Sequence, residues 1–452
     1  MLQTGIKTGP DARICIIGAG PSGIAAAKHC LQAGLTNIVV YDRNREVGGN
    51  WVYSDDVDHS SVYETAHIIS SKRWSQYHDF PMPDHYPDYP SHRLLKEYFQ
   101  SYARHFGVMD YIRFNTTVTH AHENPDHTWQ ITLHDGSVET FDHLIVCNGH
   151  HWNPRFPSYP GTFSGEIMHS HSYRSHLPFA GKRVLVIGGG NSACDIATDI
   201  CRHAAFTAIS MRRGYYIIPK FVFGDPPDVA NARFRWLPFR VRQALNFLIW
   251  YLVTGGNHRY GLQKPEHGIL EVHPTLNSDL LVRLRHGDIH PRVDIDHYDG
   301  QRVVFKDGRS DEYDVIIAAT GYIITHPFFD RSFLDFSEGD VPLYLRVFHA
   351  DHPTLYFVGL VQPQGCIWPL SDTQSQIVAN RILGTWSPPA DIRERIAAEV
   401  DHIRRSFRSA ARHTVEVEYH AYQQQLFREV PANAPRWKGT PKPAHAAQPE
   451  PA

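Results

Sequence analysis

Phe163 to Asp195 reads FSGEIMHSHSYRSHLPFAGKRVLVIGGGNSACD. Near its end an apolar run, Val184 to Ile187, enters a glycine-rich turn, Gly188-Gly189-Gly190-Asn191-Ser192-Ala193. A strand feeding a glycine turn and then a helix is how a dinucleotide pyrophosphate is held. Glycine lets the backbone turn tightly and approach the phosphates, and the helix start presents free N–H groups to them. Ahead of the turn stands a second pattern, Phe163-x-Gly165-xxx-His169-xxx-Tyr173.

The same strand–turn–helix pattern occurs once before. The run Arg13 to Ile17 enters Gly18-Ala19-Gly20-Pro21-Ser22-Gly23, a complete Gly-x-Gly-x-x-Gly. Ile24 to Leu31 is alanine-rich and helical in character, and Gly34 stops it. The next strand, Asn37 to Tyr41, ends at Asp42, 19 residues past Gly23, where a carboxylate accepts from a ribose 2′-OH. Asp42 lies 24 residues after Gly18, and Arg212 lies 24 after Gly188. The position that is acidic in the first unit is thus read as basic in the second. A carboxylate repels a 2′-phosphate and a guanidinium grips one. The first unit is therefore expected to take FAD or NAD. The second is expected to take NADPH, with Arg212 and Arg213 on the 2′-phosphate. A chain with two such turns also suits a flavoprotein reductase or an NADPH oxidase.

The fold class expected is α/β, with two Rossmann-like dinucleotide-binding domains, the second inserted into the first. The boundaries read are 1–172 for the first part of one domain, 173–322 for the other, and 323–430 for the return. Residues 225–275 form an insertion, and 431–452 a disordered or surface-draped tail rich in Pro and Ala. In the insertion, Leu237 to Val253 is a helix candidate, expected to pack in the core or roof a channel. Phe114 to Cys147 alternates like an antiparallel meander ending in a buried strand. Arg302 to Phe305 and Asp314 to Ala318 look like a hairpin, and the second run leads into Ala319-Thr320-Gly321-Tyr322.

Bulk properties narrow the function. With a net charge of −3, the chain offers no global basic field for nucleic acid. Its six cysteines form no Cys-x-x-Cys, which counts against a disulfide reductase and points to a reducing compartment, the cytoplasm. No apolar run is long enough to span a membrane. His169-Ser170-His171 lacks companion ligands, so no metal is expected.

Taken together, the Phe163–Tyr173 string flanked by both glycine turns resembles the flavin-containing monooxygenase family of class B flavoprotein monooxygenases, over most of residues 12 to 385. Related Baeyer–Villiger enzymes end that string in Trp. Gly48-Gly49-Asn50-Trp51 is similar to the family's Gly-Gly-x-Trp flavin contact, and Ala319-Thr320-Gly321-Tyr322 to its linker motif. The resemblance implies FAD and NADPH as cofactors, a C4a-(hydro)peroxyflavin, and insertion of one oxygen atom from O2 into a small molecule by N-, S- or ketone oxygenation. It implies FAD contacts from Gly18, Gly20, Pro21, Ser22, Gly23, Asp42, Gly49, Asn50, Trp51 and Val118. On the NADPH side it implies His169, Tyr173, Gly188, Gly190, Asn191, Ser192, Arg212, Arg213 and Thr320. His67, Ser70 and Gln364 are the candidates for the catalytic flavin face. Where the family carries an Asn, this chain has Ile69, a departure that leaves an NADPH oxidase as the competing activity. The expected assembly is a homodimer.

Overall fold

The computed structural model describes residues 6–55, 60–234, 236–272, 275–338, 340–406, 415–432 and 434. These residues form two compact units. The first takes residues 1–52, 72–150 and 323–452, and the second takes 53–71 and 151–322.

In the first unit β1 (Ile14–Ile17) is buried along its whole length, as an inner strand covered on both faces must be. It leads into α1 (Pro21–Gln32), where Pro21 occupies the first turn and forfeits no helical hydrogen bond. β2 (Ile38–Tyr41) pairs parallel with β1. The side chain of Ser91 caps α2 (His92–His105), which buries Leu95, Tyr98, Phe99 and Tyr102 on one face. β3 (Ile112–Arg113) extends the sheet past β2. An antiparallel meander follows, β4 (Val118–Glu123), β5 (Trp129–Leu133) and β6 (Val138–Phe141). β7 (His143–Val146) then returns to pair parallel with β1 on its other side.

The second unit contains β8 (Gly161–Phe163), β9 (Glu166–His169), β10 (Arg183–Ile187), α3 (Asn191–Ile200) and β11 (Phe206–Ser210). Next come β12 (Ile217–Ile218), α4 (Pro227–Ala232), α5 (Phe239–Thr254) and β13 (Thr275–Leu276). β12 and β13 pair, so the insertion is closed at its base. α6 (Asp279–His286), β14 (His290–Arg292), β15 (Ile295–Gly300), β16 (Arg302–Phe305), β17 (Ser310–Glu312) and β18 (Val315–Ala318) complete the unit. The chain re-enters the first unit through β19 (Leu355–Phe357), β20 (Gln362–Pro363), α7 (Trp368–Leu383), α8 (Ile392–Ser406), β21 (Glu416–Val417) and α9 (Tyr419–Glu429).

The two parallel sheets share a plan. The first runs β19-β7-β1-β2-β3 and the second β14-β11-β10-β18-β9. Each places the strand before its glycine turn in the middle. Each also carries a second sheet from the segment just before its returning strand: the antiparallel β4-β5-β6 between β3 and β7 in one, and the antiparallel β17-β16-β15 between β14 and β18 in the other, which β8 joins in parallel.

Several expectations need correction. Residues 53–71 and 151–172 belong to the second unit, not to a first domain ending at 172. The reason is pairing: β8 joins β15, β9 joins β18, and Ser54, Ser60, Tyr63 and Glu64 are tied to Arg174 and α3. Val315–Ala318 is no hairpin partner of Arg302–Phe305. β16 pairs with β15 and β17, while the wholly buried β18 joins the parallel sheet beside β10. α5 is a helix as expected, but only Trp250 and Thr254 along it are buried. Apart from residues 431, 432 and 434, the tail at 431–452 lies outside the described residues.

Candidate active site

In the first unit the glycine turn is packed against backbone. Gly18 has φ +105° and donates its N–H to the Tyr41 carbonyl at 2.8 Å. A Cβ on Gly23 would lie 1.7 Å from the Gly18 carbonyl oxygen, so only glycine fits. Gly49 approaches Gly20 so closely that its own Cβ would meet the Gly20 Cα at 2.9 Å. Gly20 starts α1 without a side-chain cap, which leaves the first N–H groups for another acceptor. Asp42, buried at the end of β2, accepts from the Ala19 N–H at 2.5 Å and the Asn44 N–H at 2.7 Å. The buried Asn44 Oδ1 beside it has no partner among the described residues.

Around this turn Trp51 meets Trp368, the first residue of α7, edge to face at 6.0 Å, while Asn50 is exposed. Gly359 faces Ser22 of α1, where a Cβ would lie 2.1 Å from the hydroxyl oxygen. Its N–H is held by Gln374 Oε1 at 2.8 Å, and Gln374 in turn donates to the Tyr422 hydroxyl at 2.7 Å. Val118 is different in kind. Its side chain belongs to the hydrophobic core with Trp129, Phe141 and Phe328 and offers no polar group.

The second unit repeats the turn with different surroundings. Gly188 has φ +140° and donates to the Ser210 carbonyl at 2.9 Å. Gly190 starts α3, again without a side-chain cap, and a Cβ there would meet nothing within 4 Å. Asn191 Oδ1 accepts from the Leu276 N–H at 2.8 Å, tying α3 to β13, and Ser192 is exposed. Arg212 is exposed. Arg213 lies over the Tyr215 ring at 5.5 Å, and its buried Nε has no hydrogen-bond partner. Strand register corrects the spacing argument by one residue. Ile17 pairs with Tyr41 but Ile187 pairs with Ser210, so the counterpart of Asp42 is the buried Met211, and Arg212 stands one residue further out.

Thr320 lies just after Ala319, whose carbonyl borders Gly188, and its hydroxyl donates to the Arg155 carbonyl. The Phe163–Tyr173 string is built into the unit. Phe163 joins the core with Leu185, Ile187 and Tyr298. His169 accepts the His171 N–H at 3.1 Å and meets Tyr322 edge to face. Burial pushes His169 down to about 4, so the imidazole is neutral at pH 7. Tyr173 is fully buried and donates to Asp199 of α3 at 2.5 Å, so burial and this carboxylate push its hydroxyl pKa up.

The three flavin-face candidates come from both units. His67 and Ser70 belong to the second unit, where His67 is exposed and Ser70 buried, and Gln364 belongs to the first. Two groups escaped the sequence reading. The half-buried Asp195 on α3 accepts from the Tyr63 hydroxyl at 2.8 Å and Asn277 Nδ2 at 2.7 Å, and the loss of solvent around it raises its pKa. Arg174, directly after the string, donates to the carbonyls of Ser54, Ser60, His171 and Tyr173. Between them they tie Ser54, Ser60 and Tyr63 to α3 and the string. A lone Asp in a helix and a lone Arg after a motif gave no pattern to read.

A family model described as FMO-like, flavin-binding monooxygenase-like, matches residues 11–436. Flavin-containing monooxygenase 5 of Rattus norvegicus is 34% identical over 438 residues, covering 90% of this chain and 80% of the relative. Dimethylaniline monooxygenase [N-oxide-forming] 2 of the same organism is 34% identical, covering 86% and 78%. Among solved structures, S-allyl-L-cysteine S-oxygenase from Allium sativum has a TM-score of 0.70 at 24% identity, covering 93% of this chain and 88% of its own. An open structure of cyclohexanone monooxygenase has a TM-score of 0.70 at 19% identity, with 92% and 97% covered. The class is that of the flavoprotein monooxygenases, enzymes that use FAD and NADPH. Within it, this chain belongs to the flavin-binding monooxygenase-like family.

Proposed function

We propose that the chain is an NADPH-dependent, FAD-containing monooxygenase that inserts one oxygen atom from O2 into a small organic substrate, at nitrogen, at sulfur or next to a ketone. The observation that carries this reading is the pair of uncapped glycine turns with opposite charge beyond them, a buried carboxylate in one and paired arginines in the other. Both fit a dinucleotide. In each, α-helical N–H groups lack a side-chain acceptor, and each has an orphaned buried polar atom nearby, Asn44 Oδ1 in the first and Arg213 Nε in the second.

When bound, FAD supplies the redox chemistry, accepting a hydride from NADPH and delivering oxygen to the substrate. The chain's own part is binding and orientation. Gly18, Gly20, Pro21, Ser22 and Gly23 receive the FAD pyrophosphate at the start of α1. Asp42, fixed by two backbone N–H groups, offers its remaining lone pairs to the ribose hydroxyls. Gly49, Asn50 and Trp51 border the same turn. Gly188, Gly190, Asn191 and Ser192 receive the NADPH pyrophosphate in the open space beside Gly190. Arg212 and Arg213 hold the 2′-phosphate, with Arg213 positioned by the Tyr215 ring. Neutral His169, Tyr173 and Thr320 hold the strand ends around that second turn. His67, Ser70 and Gln364 are proposed for the flavin face.

A second reading, an NADPH oxidase, is favoured by Ile69, which puts an aliphatic side chain where relatives place an amide. The experiment that separates the two is a stoichiometry. NADPH consumption, H2O2 release and product would be measured together with a thioether, a tertiary amine and a cyclic ketone. Product equal to NADPH consumed, with H2O2 suppressed, is the expected result. H2O2 equal to NADPH with every substrate would overturn oxygen insertion.

A further inference from the structure

In the second unit, residues 211–216 join β11 to β12 and carry Arg212 and Arg213. They lie in neither strand, so no ladder of hydrogen bonds holds them. The insertion holds them instead, through the segment after α5. Gln263 Nε2 donates to the Met211 carbonyl at 2.8 Å, directly before Arg212. Asn257 Nδ2 donates to the Tyr215 carbonyl at 2.9 Å, two residues after Arg213. The same Nδ2 donates to the Gln263 carbonyl at 2.7 Å, which ties the two amides together. Between these anchors Gly214 is pressed on the insertion, where a Cβ would lie 2.4 Å from the Gln263 carbonyl oxygen. Only glycine allows so close an approach.

The backbone of this turn is thus fixed on both sides of the arginines, while their guanidinium groups are not used up. Arg212 is exposed, and the buried Nε of Arg213 has no hydrogen-bond partner. That combination is preorganisation. A loose turn with two adjacent cations must be ordered, against their repulsion, before both can grip one phosphate. A turn ordered beforehand removes that part of the cost of binding. Among the described residues neither amide bonds to the Gly188–Ser192 turn, so their effect is confined to the phosphate-reading end. Gln263 is the cleaner of the two, because Tyr215, which Asn257 holds, also packs its ring on Gly189.

We propose that Gln263 and Asn257 are positioning residues for the 2′-phosphate of the coenzyme. The insertion fixes the Arg212–Arg213 turn in the shape that grips this phosphate, and so sets the preference for NADPH over NADH. This rests on the reading that the two arginines hold the 2′-phosphate. The test is titration calorimetry of the full-length, flavin-loaded protein with NADP+ and with NAD+, which differ only in that phosphate. Gln263→Met keeps the length of the side chain and removes the donor. It is expected to weaken NADP+ binding about fivefold and to leave NAD+ within about twofold. Asn257→Leu releases the other end of the turn and is the second variant, with the same split expected. Flavin absorbance and thermal melts report intact folding. In the Arg212→Ala/Arg213→Ala background, Gln263→Met should weaken NADP+ no further, because its effect runs through the arginines. Equal binding of both coenzymes by the wild type would overturn the reading of the arginines, and the proposal with it. A wild type that prefers NADP+, with variants that keep the whole preference, would overturn the proposal alone. Equal weakening of NADP+ and NAD+, or a further loss in the background without the arginines, would show that the amides only support the fold and would overturn it too.

Discussion

The two glycine turns share a backbone plan and differ in what encloses them. In the first, Gly18, Gly20, Gly23 and Gly49 lie against backbone, Gly359 closes on Ser22, and Asp42 is buried with hydrogen bonds to both oxygens. In the second, the space beside Gly190 is open, Ser192 and Arg212 are exposed, and Arg213 has a nitrogen to spare. Enclosure slows exchange, because a ligand must leave through packed groups, and openness lets a ligand come and go. The difference matches the proposed division of labour, a resident FAD in the first turn and an NADPH that turns over in the second.

The sharpest way to break that contrast is to add one methyl group to each turn. Gly23→Ala forces a Cβ against the Gly18 carbonyl, and the backbone must move. A cost of about 3 kcal/mol or more is expected, with flavin lost or the protein insoluble. Gly190→Ala has room for its methyl and an ordinary φ of −85°. Folding and flavin content should stay within about 1 kcal/mol and wild-type stoichiometry. The methyl then occupies the space proposed for the NADPH pyrophosphate, so the NADPH KM should rise roughly tenfold. Flavin absorbance, thermal melts and NADPH kinetics on both variants would decide it. If Gly190→Ala loses flavin as Gly23→Ala does, the two turns are not functionally distinct.

A smaller effect is expected from the charges beyond the turns. Arg212→Ala and Arg213→Ala should each cost about tenfold in kcat/KM for NADPH, the size of one lost charge-assisted hydrogen bond, and leave NADH use nearly unchanged. Comparing the two nucleotides on each variant reads the 2′-phosphate alone. Equal losses with both would mean that the arginines support the turn and do not read the phosphate.

The same contrast explains what was legible beforehand. Strand, turn and helix were readable in both units because glycine spacing and short apolar runs are local. The basic end of the second unit was readable too, although strand register put Met211 where spacing alone had put Arg212. Contacts made across long stretches of chain left no local trace. Residues 53–71 fold with the second unit because Arg174 and Asp195 hold them, and neither partner is near them in sequence. Val315–Ala318 looks like half of a hairpin in sequence because a four-residue apolar run reads alike at a sheet's edge and at its centre, and pairing with β10 is what puts it in the parallel sheet. His67 and Ser70, read as companions of Gln364, fold in the other unit for the same reason as their segment.

The last test concerns Asp195, which holds the added segment in the second unit and has no counterpart described in the first. Burial raises its pKa in the folded state, while the Lys220 charge and the hydrogen bonds from Tyr63 and Asn277 pull the other way. A raised folded pKa means that the folded protein holds this proton more tightly than the unfolded chain does. The stabilisation is therefore complete below the ordinary carboxylate pKa and is lost as pH rises through the raised value. At neutral pH the ionised carboxylate then costs stability instead of adding to it. Asp195→Asn keeps the shape, still accepts from Asn277 and can donate to the Tyr63 oxygen, but has no charge at any pH. Melting curves should show wild type and variant diverging from about pH 4 upward, with the variant progressively the more stable of the two as pH rises to neutrality. A variant less stable by the same amount at every pH would show instead that the carboxylate, held by its three partners, is worth more than its burial costs.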